Sequence, residues 1–304
     1  MRIFKRFLPP LFFAVFFLAC LSGCSSAPRR PEEIFVTRNT AASQLDLANY
    51  SAAQGRFEDA LVILEDAWRL VLATDYPPLR INTTISRAGI LFSLGRADEA
   101  FEAWERARAE AEASGLPLLA ARARIHAIRA RLVTLSAEYE AGVYLEGGQQ
   151  ADARAEELRA QVLGEIAVVR SDPVSAASGY ITLSIAEKQL RRWAEAENSA
   201  RRALRIYERN RLLEDAAYAW FIIASIRSVS GNHDAALEAL RTAIAFDRRA
   251  ENAFGLASSW HAMGDVYRNA GRGEESRAAH RRAADIYRAI GLNSHAEELE
   301  RLLR

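Results

Sequence analysis

The sequence predicts an all-α fold in which helical hairpins stack side by side as an α-solenoid. The turn positions recur at a fixed period, because Arg191, Gly231 and Gly271 lie forty residues apart and the same distance separates Gly55 from Gly95. A repeat of this length is typical of stacked supersecondary units. The composition agrees, since 50% of the residues are hydrophobic and 26% are charged, and alanine, leucine, arginine and glutamate are good helix formers.

Small residues recur at matching heights on the two helices of each unit. They are Ala48, Ala88, Ser184, Ala224 and Gly264 in the first helices, and Ala60, Ala100, Ala196, Ala236 and Ser276 near the start of the second helices. Small side chains at such positions let two helix backbones approach closely. Acidic pairs such as Glu58 and Asp59 follow the turns, where a helix N-terminus favours negative charge. Each unit is therefore predicted to be an antiparallel helical hairpin.

These units resemble the tetratricopeptide repeat, and the last unit carries the family pattern most completely. The matching residues there are Trp260, Met263, Gly264, Tyr267, Gly271 and Ala283. Other units depart from the pattern, since Arg191 stands where the family has glycine and Arg227 where it has an aromatic residue. The forty-residue spacing is similar to the longer-helix subclass found in adaptor and regulator proteins. The resemblance covers roughly residues 41–290, and it implies a right-handed α-solenoid of about six hairpins plus a C-terminal capping helix.

Residues 1–23 are predicted to be a signal peptide that is removed from the mature protein. Three basic residues precede an apolar run from Leu11 to Ala19, and this run is too short to span a bilayer. The segment ends in Leu-Ser-Gly-Cys, which is similar to the bacterial lipobox. The similarity implies cleavage before Cys24 and attachment of acyl chains to Cys24. Two or three such chains hold a protein on a membrane far more firmly than one.

Residues 24–40 are predicted to be a flexible tether behind the acylated cysteine. They are polar and interrupted by prolines, and extended they reach on the order of 40–50 Å. The helical body is thus expected to stand off a membrane of the bacterial envelope, in the periplasm or at the cell surface. Ser25 follows the anchor, and under the enterobacterial sorting rule a serine there slightly favours the outer membrane.

The body of the chain divides into three predicted parts. Residues 41–115 form the first two units, and Gly115-Leu-Pro117 then breaks the chain. Residues 116–172 form an irregular hairpin with an elongated first helix, which is either a specialised partner surface or drift in a repeat that tolerates insertions. Residues 173–304 form units four to six and the capping helix, which an open solenoid end requires.

The sequence contains no pattern that predicts catalysis, a metal site or a cofactor. Once the signal peptide is gone and Cys24 is acylated, no thiol is left for a disulfide, a zinc site or a nucleophile. Lys and Arg number 40 against 39 Asp and Glu in the whole chain, and 37 against 39 without residues 1–23. This balance gives no indication of nucleic-acid binding. His261 and Asp265 share one helix face, which indicates an exposed ion pair or a contact with a ligand.

A binding groove is predicted on the concave face, by analogy with the positions that line it in the tetratricopeptide family. The corresponding residues are Asn49, Asn82, Phe92, Ile181, Ile185, Lys188, Tyr218, Phe221, Ser225, His261, Asp265, Arg268 and Asn269. The apolar members would form a floor for an amphipathic helix or an extended peptide with aromatic anchors. The alternative is that these apolar side chains are buried against neighbouring hairpins.

Three functions are compatible with these patterns. The preferred one is a non-enzymatic, lipid-anchored scaffold that binds an envelope protein or peptide, as the resemblance to assembly lipoproteins and pilus pilotins of this repeat class implies. The alternative is a transporter-associated periplasmic lipoprotein whose hairpins form a ligand pocket or pore, and an enclosed apolar cavity would favour it. An envelope enzyme is disfavoured, because His261, Asp265 and His280 are its only candidate residues.

Overall fold

The computed structural model of the protein describes residues 35–140 and 149–303. Thirteen α-helices and no strands lie within these two ranges. The helices are α1 (Val36–Ala53), α2 (Phe57–Ala73), α3 (Pro77–Ser93), α4 (Ala97–Ala113), α5 (Pro117–Glu140), α6 (Gln149–Val169), α7 (Pro173–Gln189), α8 (Trp193–Arg209), α9 (Leu213–Val229), α10 (His233–Ala250), α11 (Ala253–Asn269), α12 (Gly273–Ala289) and α13 (Asn293–Leu302).

The helices pair in succession into six hairpins, from α1 with α2 to α11 with α12, and α13 packs on α12. The predicted all-α solenoid is thus confirmed. The first helix of each hairpin also contacts the first helix of the next, so that α1, α3, α5, α7, α9 and α11 form one continuous layer. The second helices make no such contacts with one another in the described ranges, and they form the outer layer.

The small residues lie where the helices approach each other. Ala48, Ala88, Ser184 and Ala224 are each at most 1% exposed. Larger apolar side chains fill the space beside them, and Leu64, Ile223 and Leu240 are among the largest fully buried ones. Close backbone approach at small residues with bulky neighbours is the packing that dense helical interfaces require.

A left-handed residue closes most of the turns between helices. These residues are Gly55, Asp75, Gly95, Gly115, Arg191, Arg211, Gly231, Glu251, Gly271 and Gly291. Outside the irregular hairpin they follow one another every twenty residues, so the turns between hairpins keep the same register as the turns within them. Arg191 adopts a φ of 60°, a conformation that costs a non-glycine residue about 1–2 kcal/mol. The geometry of the repeat is therefore kept even where the glycine is lost.

Two boundaries differ from the sequence prediction or lie outside the described residues. The tether predicted over 24–40 is too long, because α1 begins at Val36 and Ala41 is already fully buried. The signal peptide and Cys24 lie outside the described residues. In the irregular hairpin, α5 has 24 residues and α6 has 21, against 17 in α7.

The last hairpin of the helical array lies against the first. The ring of Phe57, at the start of α2, lies edge-on to that of Phe254 in α11, with centroids 5.3 Å apart. The Gln54 amide donates to the Glu251 carbonyl, and α11 contacts α1. A Cβ placed on Gly55 would be 2.8 Å from Ile290 Cδ1 and 3.3 Å from Leu292 Cδ1. The first hairpin thus packs against the last, and the inner layer is continuous around the array.

Across residues 35–140 and 149–303, each helix is either too short or too polar to cross a bilayer.

Candidate functional site

The inner face of the first helices carries a polar cavity at its N-terminal end. Its volume is about 480 Å³, and Asn49 of α1, Asn82 of α3 and Arg122 and His126 of α5 are among the residues that line it. Arg122 Nη1 donates to Asn82 Oδ1 at 3.0 Å. Burial, with the positive charges of Arg129 and Arg122, lowers the pKa of His126 to about 3. The ring is therefore neutral near pH 7, and the charged side chains that line this cavity are the guanidinium group of Arg122 and the carboxylate of Asp46.

An aromatic pocket lies further along the same face. Tyr218 and Phe221 of α9 stack with their ring centroids 6.4 Å apart and an interplanar angle of 11°. With Phe254 and Ser258 of α11, they help to line a cavity of about 270 Å³. Tyr218 is 37% exposed. An accessible aromatic surface of this kind is what an apolar side chain of a partner requires.

Arg129 of α5 connects the two regions. Its Nη2 donates to the carbonyl oxygen of Ser178 at 2.8 Å and to Ser178 Oγ at 2.7 Å. Its Nε donates to Thr182 Oγ1 at 3.1 Å, and its guanidinium carbon lies 6.0 Å from the centroid of the Tyr218 ring. These bonds to α7 hold the charge in place, so Arg129 is a fixed part of the inner face. Further along α7, Lys188 Nζ donates to Ser225 Oγ of α9 at 3.0 Å.

Two predicted groove residues are buried in the packing and do not line the groove. Ile181 is fully buried and Ile185 is 4% exposed, because most of α7 is enclosed by its neighbours. The alternative interpretation, burial between hairpins, therefore holds for these two residues. Phe92 is partly buried, and its ring packs within its own hairpin on Phe101 and Trp104, with centroids 6.3 and 6.0 Å away. For Tyr218 and Phe221 the groove assignment stays a prediction, and the aromatic cavity agrees with it.

The residues that α5 places on the inner face were not among the predicted groove residues. Arg122, His126 and Arg129 are spaced by four and three residues, so they form one stripe of the helix. A signal for the first of them was present, because Arg122 follows Asn82 by the repeat period of forty residues. The repeat period still holds from α3 to α5 and is lost only after α5. The irregular length of the whole hairpin therefore hid this match.

The last predicted groove residues form a compact charged group near the C-terminal end of the array. His261 Nε2 lies 3.6 Å from Asp265 Oδ2, and Arg268 Nη2 lies 2.7 Å from Asp265 Oδ1. The buried His280 of α12 reaches the same carboxylate, with Nε2 3.2 Å from Oδ1. Burial lowers the pKa of His261. Burial alone would raise the pKa of Asp265, but the hydrogen bond to His280 and the nearby positive charges lower it below its usual range.

Arg268 and Asn269, at the C-terminal end of α11, are exposed to solvent. His261 and His280 thus both contact Asp265. These three residues are the candidates predicted for the disfavoured enzyme.

Asp247 lies beside the aromatic pocket and is only 2% exposed. It accepts hydrogen bonds from Asn252 Nδ2 at 2.8 Å and Ser259 Oγ at 3.4 Å. Burial raises its pKa to about 7, well above the value near 3.8 of the unfolded chain. The folded state therefore binds a proton that the unfolded state has released, and its stability falls as the pH rises from about 4 through 7.

We expect Asp247→Asn to remove this pH dependence. The stability of the variant relative to the native protein should rise by about 1–3 kcal/mol from pH 5 to pH 8. Urea unfolding at the two pH values measures the difference, and Asp234→Asn, at an exposed carboxylate, is the control. An equal loss of stability at both pH values would show that the fold uses the charged carboxylate of Asp247.

Three segments of the chain match the family model of the tetratricopeptide repeat, residues 40–71, 177–210 and 256–290. They fall in the first, fourth and sixth hairpins. No curated protein matches the sequence.

Among solved structures, the chain is similar to a Rap protein complexed with competence and sporulation factor. The TM-score is 0.54 at 16% identity, over 87% of this chain and 70% of that one. The apo form of the quorum sensor NprR from B. thuringiensis gives a TM-score of 0.49 at 14% identity, over 86% and 69% of the two chains. The pilus biogenesis factor PilW gives 0.44 at 15% identity, over 86% and 98%. At these identities, the similarity to the Rap protein concerns the fold alone. The chain is therefore an all-α solenoid whose first, fourth and sixth hairpins match the family model of the tetratricopeptide repeat.

Proposed function

We propose that the protein is a non-enzymatic, lipid-anchored scaffold of the bacterial envelope that binds an extended peptide segment of a partner protein in its concave groove. The observation that carries this proposal is the continuous inner face, on which a polar cavity and an aromatic pocket are joined by the fixed charge of Arg129. Such a surface offers separate sites for the backbone and for the side chains of one bound segment.

The polar cavity suits a peptide backbone. The amide side chains of Asn49 and Asn82 each carry a donor and an acceptor, so they match the alternating N–H and C=O groups of an extended chain. The Arg122 guanidinium beside them uses one hydrogen bond to hold Asn82, and it has further donors for a carbonyl or a carboxylate.

The aromatic pocket suits one anchoring side chain of the partner. Its volume of about 270 Å³ is below the roughly 300–1,000 Å³ of typical pockets for small molecules and cofactors. This pocket is therefore the size of one anchoring side chain rather than of a whole small-molecule ligand. The Rap protein that shares this fold is in complex with competence and sporulation factor, which supports the proposal at the level of the fold.

We expect Tyr218→Ala/Phe221→Ala to weaken peptide binding by about tenfold or more, because aromatic anchors dominate such interfaces. Peptides would be selected from a random displayed library with the purified protein, and their affinities would be measured by fluorescence anisotropy. Tyr76→Ala is the matched control. Tyr76 is 40% exposed and follows the C-terminal end of α2, at the opposite end of that helix from Phe57, which contacts the pocket residue Phe254. Equal affinities for all three proteins would exclude the proposed groove.

The anchoring part of the proposal is supported by the sequence of residues 1–24, which ends in the lipobox-like segment before Cys24. We expect Cys24→Ser to abolish acylation, so that the protein leaves the membrane fraction when cells are broken without detergent. Mass spectrometry of the N-terminal peptide measures the acyl chains directly. An unmodified N-terminus in the native protein would exclude the anchor and would leave the groove proposal standing.

A further inference from the structure

Three potential metal ligands converge on one point between α11 and α12. The ring nitrogens of His261 and His280 lie 3.6 Å and 3.2 Å from the two oxygens of Asp265. One ligand atom from each of the three residues lies within 4.8 Å of the others. Two histidines and a carboxylate from adjacent helices therefore surround one small volume.

The local sequence builds this arrangement specifically. His261 and Asp265 are four residues apart on α11, so they project from one face of the helix. That face also carries Phe254 and Ser258, which line the aromatic pocket, so the group is on the groove side of α11. His280 comes from α12 and is 2% exposed. It is fixed by packing, whereas His261 and Asp265 are partly open to solvent.

Gly264 makes room for the His280 ring. A Cβ at this position would lie 2.1 Å from His280 Cδ2 and 2.3 Å from Nε2, which is far inside van der Waals contact. Only glycine at 264 lets the imidazole press against the backbone of α11 and point its Nε2 atom at Asp265. The small residue that packs the hairpin therefore also positions the second histidine.

The distances fit a tetrahedral ion. Zinc is bound at about 2.0–2.1 Å by histidine nitrogen and about 2.0–2.2 Å by carboxylate oxygen, so its ligand atoms lie about 3.3–3.5 Å apart. His261 Nε2 lies 3.6 Å from Asp265 Oδ2 and His280 Nε2 lies 3.2 Å from Oδ1, while one ligand atom of each residue lies within 4.8 Å of the others. A rotation of the carboxylate and a small approach of the two rings would bring one oxygen and both nitrogens to the zinc distances. Two imidazoles and one carboxylate suit Zn²⁺ better than Ca²⁺ or Mg²⁺, which prefer oxygen ligands.

We propose that His261 Nε2, His280 Nε2 and the Asp265 carboxylate bind a Zn²⁺ ion that links α11 to α12 on the groove side. The Arg268 guanidinium, 2.7 Å from Asp265 Oδ1, orients the carboxylate from outside the site, as hydrogen-bonded neighbours of metal ligands do. Three protein ligands leave one position of the ion to water. The site is independent of the proposed peptide binding and goes beyond it.

Zinc binding tests this directly. The full-length protein, purified without a polyhistidine tag and stripped with a chelator, would be dialysed against micromolar ZnCl₂ and its bound zinc measured. We expect one Zn²⁺ per chain. His261→Ala and Asp265→Asn should each weaken binding by about 100-fold or more, since even the loss of a neighbour of a ligand costs about 10–100-fold. Both residues are partly exposed, so these variants should keep the helical circular dichroism of the native protein.

His295→Ala is the matched control, because His295 is an exposed histidine on α13 next to the same region, and it should bind zinc as the native protein does. The visible spectrum of the Co²⁺-loaded protein adds a second measurement, which should show nitrogen ligation in the native protein and lose it in His261→Ala. Either of two results would overturn the proposal. One is the absence of bound zinc, which would leave a hydrogen-bonded triad only, and the other is unchanged zinc binding in both ligand variants.

Discussion

Replacing Ile223 with alanine is expected to lower the free energy of unfolding by about 2–5 kcal/mol. Ile223 lies in α9, is fully buried and belongs to the largest core cluster, which also contains Leu240 and Met263. Removing three buried carbon atoms loses their transfer free energy and leaves a cavity, because the closely packed helices on either side cannot fully collapse into it. Chemical denaturation followed by circular dichroism measures the loss.

The exposed end of the same helix supplies the control. Val229 is 56% exposed, so Val229→Ala should change the stability by no more than about 0.5 kcal/mol. The position of Ile223 in the array adds a second expectation. In a solenoid each hairpin is stabilised by its neighbours, so a defect in the fifth hairpin should loosen the sixth as well. Hydrogen exchange that is faster only in α9 and α10 would contradict this coupling.

The sequence could predict the stack because the features that define it are local. Small residues such as Ala48 and Ala224 recur at one position per unit, and the structure buries them where helices meet. The turns within hairpins were visible from glycines such as Gly55 and Gly231. Three of the ten left-handed turn positions were not, because Asp75, Arg211 and Glu251 adopt this conformation without being glycine. Their positions follow from the repeat period, which no single residue reveals.

The groove was harder to predict, because which face of a helix points inward depends on its phase to within one residue. A shift of one residue rotates a side chain by about 100° on an α-helix, which is enough to move Ile181 and Ile185 from the groove into the core. Tyr218 and Asn82 lie on helices whose inner faces are open, so the same reasoning placed them on the inner face. Arg122 and Arg129 were missed because the irregular hairpin had no family pattern to carry positions over from.

The contact between the two ends of the array could not be predicted from any unit. It depends on the small rotation between successive hairpins, summed over all six, and the elongated α5 and α6 alter that sum. The residues that make the contact carry no mark in the sequence. Phe57 and Leu292 are apolar residues that would also be expected in an array whose two ends do not touch.

Replacing Phe57 with alanine is expected to open this contact. Phe57 is 6% exposed and packs with the N-terminal core cluster as well as with Phe254 and Leu292. The change should lower the free energy of unfolding by about 3 kcal/mol or more, and it removes the edge-to-face pair with Phe254, which alone is worth about 0.5–1.5 kcal/mol. The remaining contacts between the ends are few, so small-angle X-ray scattering should show a larger radius of gyration.

A second phenylalanine separates this change of shape from a general loss of stability. Phe101 packs on Phe92 and Trp104 within the second hairpin and does not touch the closing contact. Phe101→Ala should therefore reduce stability while the radius of gyration stays at the native value. If Phe57→Ala also scattered like the native protein, the ends would be held by the backbone contact of Gln54 with Glu251 and by the packing around Gly55. The aromatic pair would then stabilise only the first hairpin.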